Sequence, residues 1–388
     1  MAGKDFDTME DSNRSDNPSI HDVSDPARRT VLRGTLGVAV SALYAPLVTG
    51  CAAASAPRNA TPALAPSIGF KGIAVDASDK LLVPEGYIAS VIAAWGEPVG
   101  VPGNMPAWLG DGSHSAAEQA VQMGMHHDGM EFFPLNGNSN TRGLLAMNHE
   151  YTDDGLLHSA GLANWSAEKV KKSQAAHGLS VIEVALKDGR WDMVRPSRYA
   201  RRFTANTPFA IGGPCAGHAM MKTAADADGK LALGTFNNCA SSKTPWGTYL
   251  SGEENFMGYF SGGDNLSAHE KRWGMRKGGW GYNWHAHDER FDAVKNPNEP
   301  NRHGWVVEVD PYDPTSTPVK RTALGRAAHE GAWVAVTKDG RAVVYSGEDA
   351  RFEYIYKFVS RDKIKPGGAK ANATLLDHGT LHVARFNA

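Results

Sequence analysis

The chain has 388 residues, enough to bury one large hydrophobic core or two ordinary ones, so length alone permits a single large all-β domain. Its formal net charge is -2 and its basic residues are scattered rather than striped, which leaves no electrostatic footprint for nucleic acid and excludes it as a partner. The 42 glycines and 21 prolines suit a turn-dense β architecture better than a helical one.

At the N-terminus, polar residues lead to Arg28 and Arg29, then to Val31, Leu32 and a weakly apolar run. This is the pattern of a twin-arginine export signal, and the partner it implies is the twin-arginine translocase. The run is short for a bilayer and broken by Pro46 and glycines, which argues against a membrane anchor. Val48-Thr49-Gly50-Cys51 resembles a lipobox that would lipidate Cys51, while the small residues after it offer an ordinary cleavage site; both readings stand. The expected organisation is a signal at 1–55, a Pro-rich linker at 56–67 and a β domain at 68–388. The expected location is periplasmic, extracellular or attached to the outer membrane.

Short strands punctuated by turns follow. Lys-Asp-Gly-Arg stands twice between β-branched runs, so Asp188-Gly189 and Asp339-Gly340 are expected at the tips of type I′ hairpins, with Asp228-Gly229 as a third. Three apolar strands end alike, in "LLAMNHEY", "TYLSGEEN" and "VVYSGEDA". Their acids are Glu150, then Glu253 and Glu254, then Glu348 and Asp349, roughly 100 residues apart, near the length of two propeller blades. Blades around one axis would bring these strand ends to one mouth of a central channel. Carboxylates crowded there repel one another, so the arrangement calls for cations between them.

The stretch "NNCASSKTPWGTYLSGEEN" places Cys239 ahead of that second acid pair. Carboxylates are hard ligands suited to calcium, and a thiolate is a soft one that selects iron or zinc. Both near one mouth suggest a mixed cluster. Further donors occur in "GMHHDGM" (His126, His127, Asp128), "NHE" (Asn148, His149, Glu150) and "GRAAHEGAW" (His329, Glu330). No HExxH, GxxxxGK[ST] or GxSxG motif is present, so zincin, P-loop and α/β-hydrolase chemistry have no support. A Cys215–Cys239 disulfide is the strongest competing fate for the thiol in an exported protein. His303, His378 and His382 read as ordinary surface or strand histidines, and the tryptophans of "WGYNW" as core.

Together, "NNCASSKTPWGTYLSGEENF", "NHEY", "VDPYDP" with "KRTALGR", "HEGAW" and "RFEYIYKFVS" resemble the alkaline phosphatase family PhoX, from about Phe70 to the last residue. The resemblance implies a six-bladed β-propeller exported by the twin-arginine route. It also implies two ferric ions (Fe3+) and three calcium ions (Ca2+) at the channel mouth, hydrolysing phosphate monoesters. Residue by residue, it makes Cys239 the iron-ligating cysteine and Glu330 a carboxylate on the cluster, the two residues assigned to catalysis. Glu254 and Asp349 fall on the calcium side, and Asp128 and Glu150 are metal-site acids whose ion is not assigned. Two departures stand out: "GED" carries Glu348 where the family has Asp, and the family's later Arg-Pro-Glu-Trp motif does not occur. The expectation is therefore a propeller truncated at its C-terminal end, with a gap in the cluster. Two other functions compete: a calcium-stabilised propeller without catalysis, and a lactonase-type propeller, neither of which needs the cysteine.

Overall fold

A computed structural model describes residues 70–386. Arg28, Arg29, Cys51 and the expected linker at 56–67 lie outside the described residues. The chain divides into two compact units between Gly86 and Tyr87. Residues 70–86 of the first carry no helix or strand, and the second holds all the described strands. No helix among the described residues is long and apolar enough to cross a membrane.

The strands form three sheets taken in chain order. The first contains β1 (His127–Pro134), β2 (Arg142–His149), β3 (Gly178–Lys187) and β4 (Arg190–Met193) as a meander, with β5 (Arg201–Phe203) also paired to β3. The second contains β6 (Pro208–Gly212), β7 (Leu231–Leu233), β8 (Asn238–Lys243), β9 (Tyr249–Glu253), β10 (Val306–Val309) and β11 (Val319–Arg321), in the order β7-β6-β11-β10-β9-β8. Its one parallel pair is β6 with β11. The third is the meander β12 (Trp333–Val336), β13 (Arg341–Gly347), β14 (Ile355–Lys363) and β15 (Gly379–Val383). The fold is thus all-β, as expected, and the described sheets do not close into a ring.

Apolar patterning dictates these layers. β3 is buried from Gly178 to Val184, a continuous run that marks a strand covered on both faces. Phe133, Leu144, Val181 and Phe203 of the first sheet pack on Phe209, Tyr249 and Val307 of the second. Leu250 and Val306 then meet Val344 and Phe358 of the third. Each such side chain removed from water contributes about 1.5–3 kcal/mol, which is what holds consecutive sheets face to face. β8 lies at the meeting point, against β1, β2 and β12.

The hairpin expectations divide. Asp188 (φ 52°) and Gly189 (φ 76°) both adopt left-handed backbone between β3 and β4, as a type I′ turn requires. At 339–340 only Gly340 does; the Thr337 hydroxyl bonds Asp339 and accepts from the Arg341 N–H, which builds a longer loop. At 228–229 only Gly229 does, and its N–H closes a local turn onto the Asp226 carbonyl. Side-chain bonds from Thr337 replace the two-residue turn at the first place and a backbone turn replaces it at the second.

Candidate metal centre

Each sheet delivers one acid-ended strand in the same position. β2, β9 and β13 each lie one strand in from the edges formed by β1, β8 and β12. Glu150, Glu254 and Asp349 follow their C-terminal ends. The acids thus recur once per sheet, because segments without strands at 150–177 and 254–305, which include short helices, lengthen the chain between strands.

The two remaining donor strands are bulged where the donor sits. The β1–β2 register shifts between His127 and Met130, which frees Asp128; the β8–β9 register shifts between Asn238 and Ser241, which frees Cys239. Each bulge is entered by a left-handed residue two positions earlier, His126 (φ 46°) and Asn237 (φ 51°). Such bulges re-aim a side chain off the sheet face. Gly129 permits the strands to touch: a Cβ there would lie 2.8 Å from the Cys239 carbonyl.

Donor atoms of Asp128, Glu150 and Cys239 lie within 4.8 Å of one another, as do those of Cys239, Glu254 and Glu330. Cys239 belongs to both groups and joins them. Backbone bonds fix the loops that carry them: Glu150 N–H to His126, Glu254 N–H to Asn237, Glu330 N–H to Gly347 and Asp349 N–H to Ala328. Asp349 stands outside the two groups but is among the acids that raise Glu254.

The electrostatics are those of an anionic pocket. Burial, with the carboxylates of Glu330, Glu150 and Asp349, pushes Glu254 up to about 9. Burial with Asp128 and Glu330 pushes Glu150 up to about 7. Burial and a hydrogen bond with Asp128 push the Cys239 thiol up, so a cation bound there has to displace its proton. The chief charges acting on Glu254 and Glu150 are themselves acidic, and cations would relieve that repulsion. Several carboxylates plus one sulfur, converging without a basic side chain among their main influences, fit a mixed hard and soft metal cluster.

Residues 68–388 match the model of the family described as alkaline phosphatase PhoX. The chain belongs to this family. No curated protein matches it. Among solved structures, Pseudomonas fluorescens PhoX in complex with vanadate, a transition state analogue, is 53% identical with a TM-score of 0.79, over 82% of this chain and 55% of that one. The chain thus spans about half the length of that PhoX relative.

Of the six residues expected from sequence, Asp128, Glu150, Cys239, Glu254 and Glu330 fall in the two donor groups, and Asp349 stands outside them while acting on Glu254. Cys215 and Cys239 are both free thiols, so the disulfide reading does not hold. Cys215 packs instead beside Ile211, Met221 and Trp305. The histidine donors go elsewhere. His149 Nε2 pairs with the Ser180 hydroxyl, His329 with Ser346 and the Gly325 carbonyl, and His127 with the Gly124 carbonyl. His126 stacks on Tyr151 at 3.8 Å. His303 is fully buried, not a surface residue, and of the two tryptophans in "WGYNW" Trp284 is core while Trp280 is exposed.

Neighbouring acids part company. Glu348 accepts from the Tyr356 hydroxyl and belongs to neither donor group. Glu253 turns into the core, where Lys320 lies 2.6 Å away, both side chains sealed from solvent. Sequence reasoning passed over Lys320 and Tyr249. The only signal for Lys320 was a lysine inside a short β run; a tyrosine spaced four residues before Glu253 was the signal for Tyr249.

Proposed function

We propose that the protein is an exported, metal-dependent alkaline phosphatase that hydrolyses phosphate monoesters to release inorganic phosphate. The observation that carries this reading is the sharing of Cys239 between two groups of carboxylate donors. Its supports are membership of the PhoX family and likeness to a PhoX that binds vanadate, a transition state analogue.

Cys239 and Glu330 would hold iron (Fe3+), Glu254 and Asp349 calcium, and Asp128 and Glu150 would complete the set for two iron and three calcium ions. Bound there, the cations would supply Lewis-acid neutralisation of the charge on a phosphoryl group. The chain's own part is to fix the donors. The two bulges aim Asp128 and Cys239, while the strand ends carry Glu150, Glu254 and Asp349. No side chain need serve as a covalent nucleophile. In this reading the three sheets are successive blades of a β-propeller, with β1, β8 and β12 lining its channel, and the substrate is a small phosphate ester.

The test is p-nitrophenyl phosphate turnover after loading with iron and calcium, before and after prolonged EDTA treatment. Chelation is expected to remove turnover by more than about 100-fold, since metal-derived charge stabilisation amounts to several kcal/mol. Turnover indifferent to EDTA, or calcium binding without iron and without turnover, would overturn the reading. The latter result is what a calcium-stapled binding propeller predicts.

Arg28, Arg29 and Cys51 support export by the twin-arginine translocase and a lipid anchor or a cleaved leader, respectively. Cell fractionation checks this: Arg28→Lys with Arg29→Lys is expected to hold the protein in the cytoplasm, and unimpaired export of that variant would refute the route.

A further inference from the structure

β1 and β2 belong to one sheet and β8 and β9 to the next, and no backbone ladder joins the two. Yet Asp128 and Glu150 come from the first, and Cys239 and Glu254 from the second. Mutual repulsion of their carboxylates acts to part the sheets wherever cations are missing. Something must hold the seam.

Two buried polar side chains cross it. The Tyr249 hydroxyl on β9 lies 2.7 Å from the Gly129 carbonyl, next to Asp128, and 2.7 Å from Asn148 Oδ1 on β2. Asn148 Nδ2 donates to the Cys239 carbonyl at 2.6 Å and the Ala240 carbonyl at 3.2 Å. Both residues are sealed from solvent. The carbonyls they reach, those of Gly129, Cys239 and Ala240, belong to the two bulges, where the ladder lapses and backbone groups need other partners. The amide is required in this orientation, because a carboxylate at 148 would set oxygen against two carbonyl oxygens.

We propose that Tyr249 and Asn148 are positioning residues, a clasp that ties the Asp128 bulge to the Cys239 bulge and sets the spacing of the donors before any cation binds. This inference rests on the metal-centre reading above. Removal of such an outer partner typically costs about 10- to 100-fold in metal affinity.

The test measures alkylation of Cys239 by iodoacetamide, resolved by peptide mass spectrometry, as iron(III) citrate and calcium chloride are titrated into the full chain. Tyr249→Phe keeps the ring in the core and removes the hydroxyl; Asn148→Asp removes the donor to the bulge. Each is expected to raise the iron concentration for half-protection about 10- to 100-fold, and the double variant to add little, as members of one unit do. Thr248→Ala, which deletes the neighbouring buried hydroxyl bonded to Glu308, is the control for plain destabilisation and should leave half-protection unchanged. If metals never protect the wild-type thiol, the metal-centre reading fails and the clasp with it. Protection of the wild type matched by both variants overturns the clasp alone. Failure of both variants to fold beside a folded Thr248→Ala also overturns it, since it would make the pair a purely structural support.

Discussion

Cys239→Ser is expected to lower p-nitrophenyl phosphate turnover by about 100-fold or more, with iron lost and the fold retained. Cys239 is the one residue common to both donor groups, so its removal severs the link between Asp128 with Glu150 and Glu254 with Glu330. Serine keeps its proton far more strongly than a thiol, so an anionic ligand is lost and the iron assigned to it is the first ion to go. Calcium sites built from carboxylates alone should survive, and metal analysis should find calcium retained with iron depleted. The half-buried side chain is small, and circular dichroism and thermal melting should stay close to wild type. A variant with full turnover and full iron would refute the assignment; one with unchanged calcium binding and no activity difference would favour a lactonase or a binding module.

Lys320→Met is expected to destabilise the protein by about 3–5 kcal/mol, the usual cost of stranding a buried charge. Lys320 Nζ lies 2.6 Å from Glu253 Oε1, and neither side chain reaches solvent. Burial by itself would raise Glu253, but Lys320 and His303 overcome it and hold the carboxyl down at about 2. Its other oxygen accepts from the N–H groups of Gly304 and Trp305, at 2.9 and 3.1 Å. Methionine fills the lysine's volume without its charge and leaves that carboxylate unpaired. Adding Glu253→Gln should restore much of the loss, since replacing both partners removes the stranded charge. Denaturant unfolding checks both steps, and a single variant losing less than about 1 kcal/mol would show that the pair does not anchor this part of the sheet. Because Glu254 follows directly, the single variant should also weaken metal binding, and the double variant should recover it.

The candidate site was readable from the sequence to an unusual depth because donor chemistry is a property of residue type. Sulfur in "NNCAS" and acids after "MNH", "LSG" and "YSG" name their ligands whatever the fold, and the repeated strand endings placed them at equivalent positions in successive sheets. The histidines beside them misled for a reason that is also physical. Strand residues alternate faces, so in "NHE" Asn148 and Glu150 share the side toward the second sheet while His149 turns to Ser180. In "HEGA" His329 is taken up by Ser346 and Gly325, while Glu330 joins Cys239 and Glu254.

By itself, then, the amino-acid order determined an all-β chain, its tight turn at Asp188-Gly189 and the set of soft and hard donors, since local pattern and element chemistry suffice for these. The family resemblance pointed to Glu254 and Asp349 within their acid pairs, but only the tertiary structure gave the physical reason. Glu253 and Glu254 are chemically alike, and the choice fell to Lys320, 67 positions further along the chain, which draws one of them into the core. The aim of Asp128 and Cys239 was decided in the same way, by bulges whose register depends on partner strands, and by a tyrosine and an asparagine that bridge two sheets. Contacts between residues distant in sequence carry those decisions, and no local pattern encodes them.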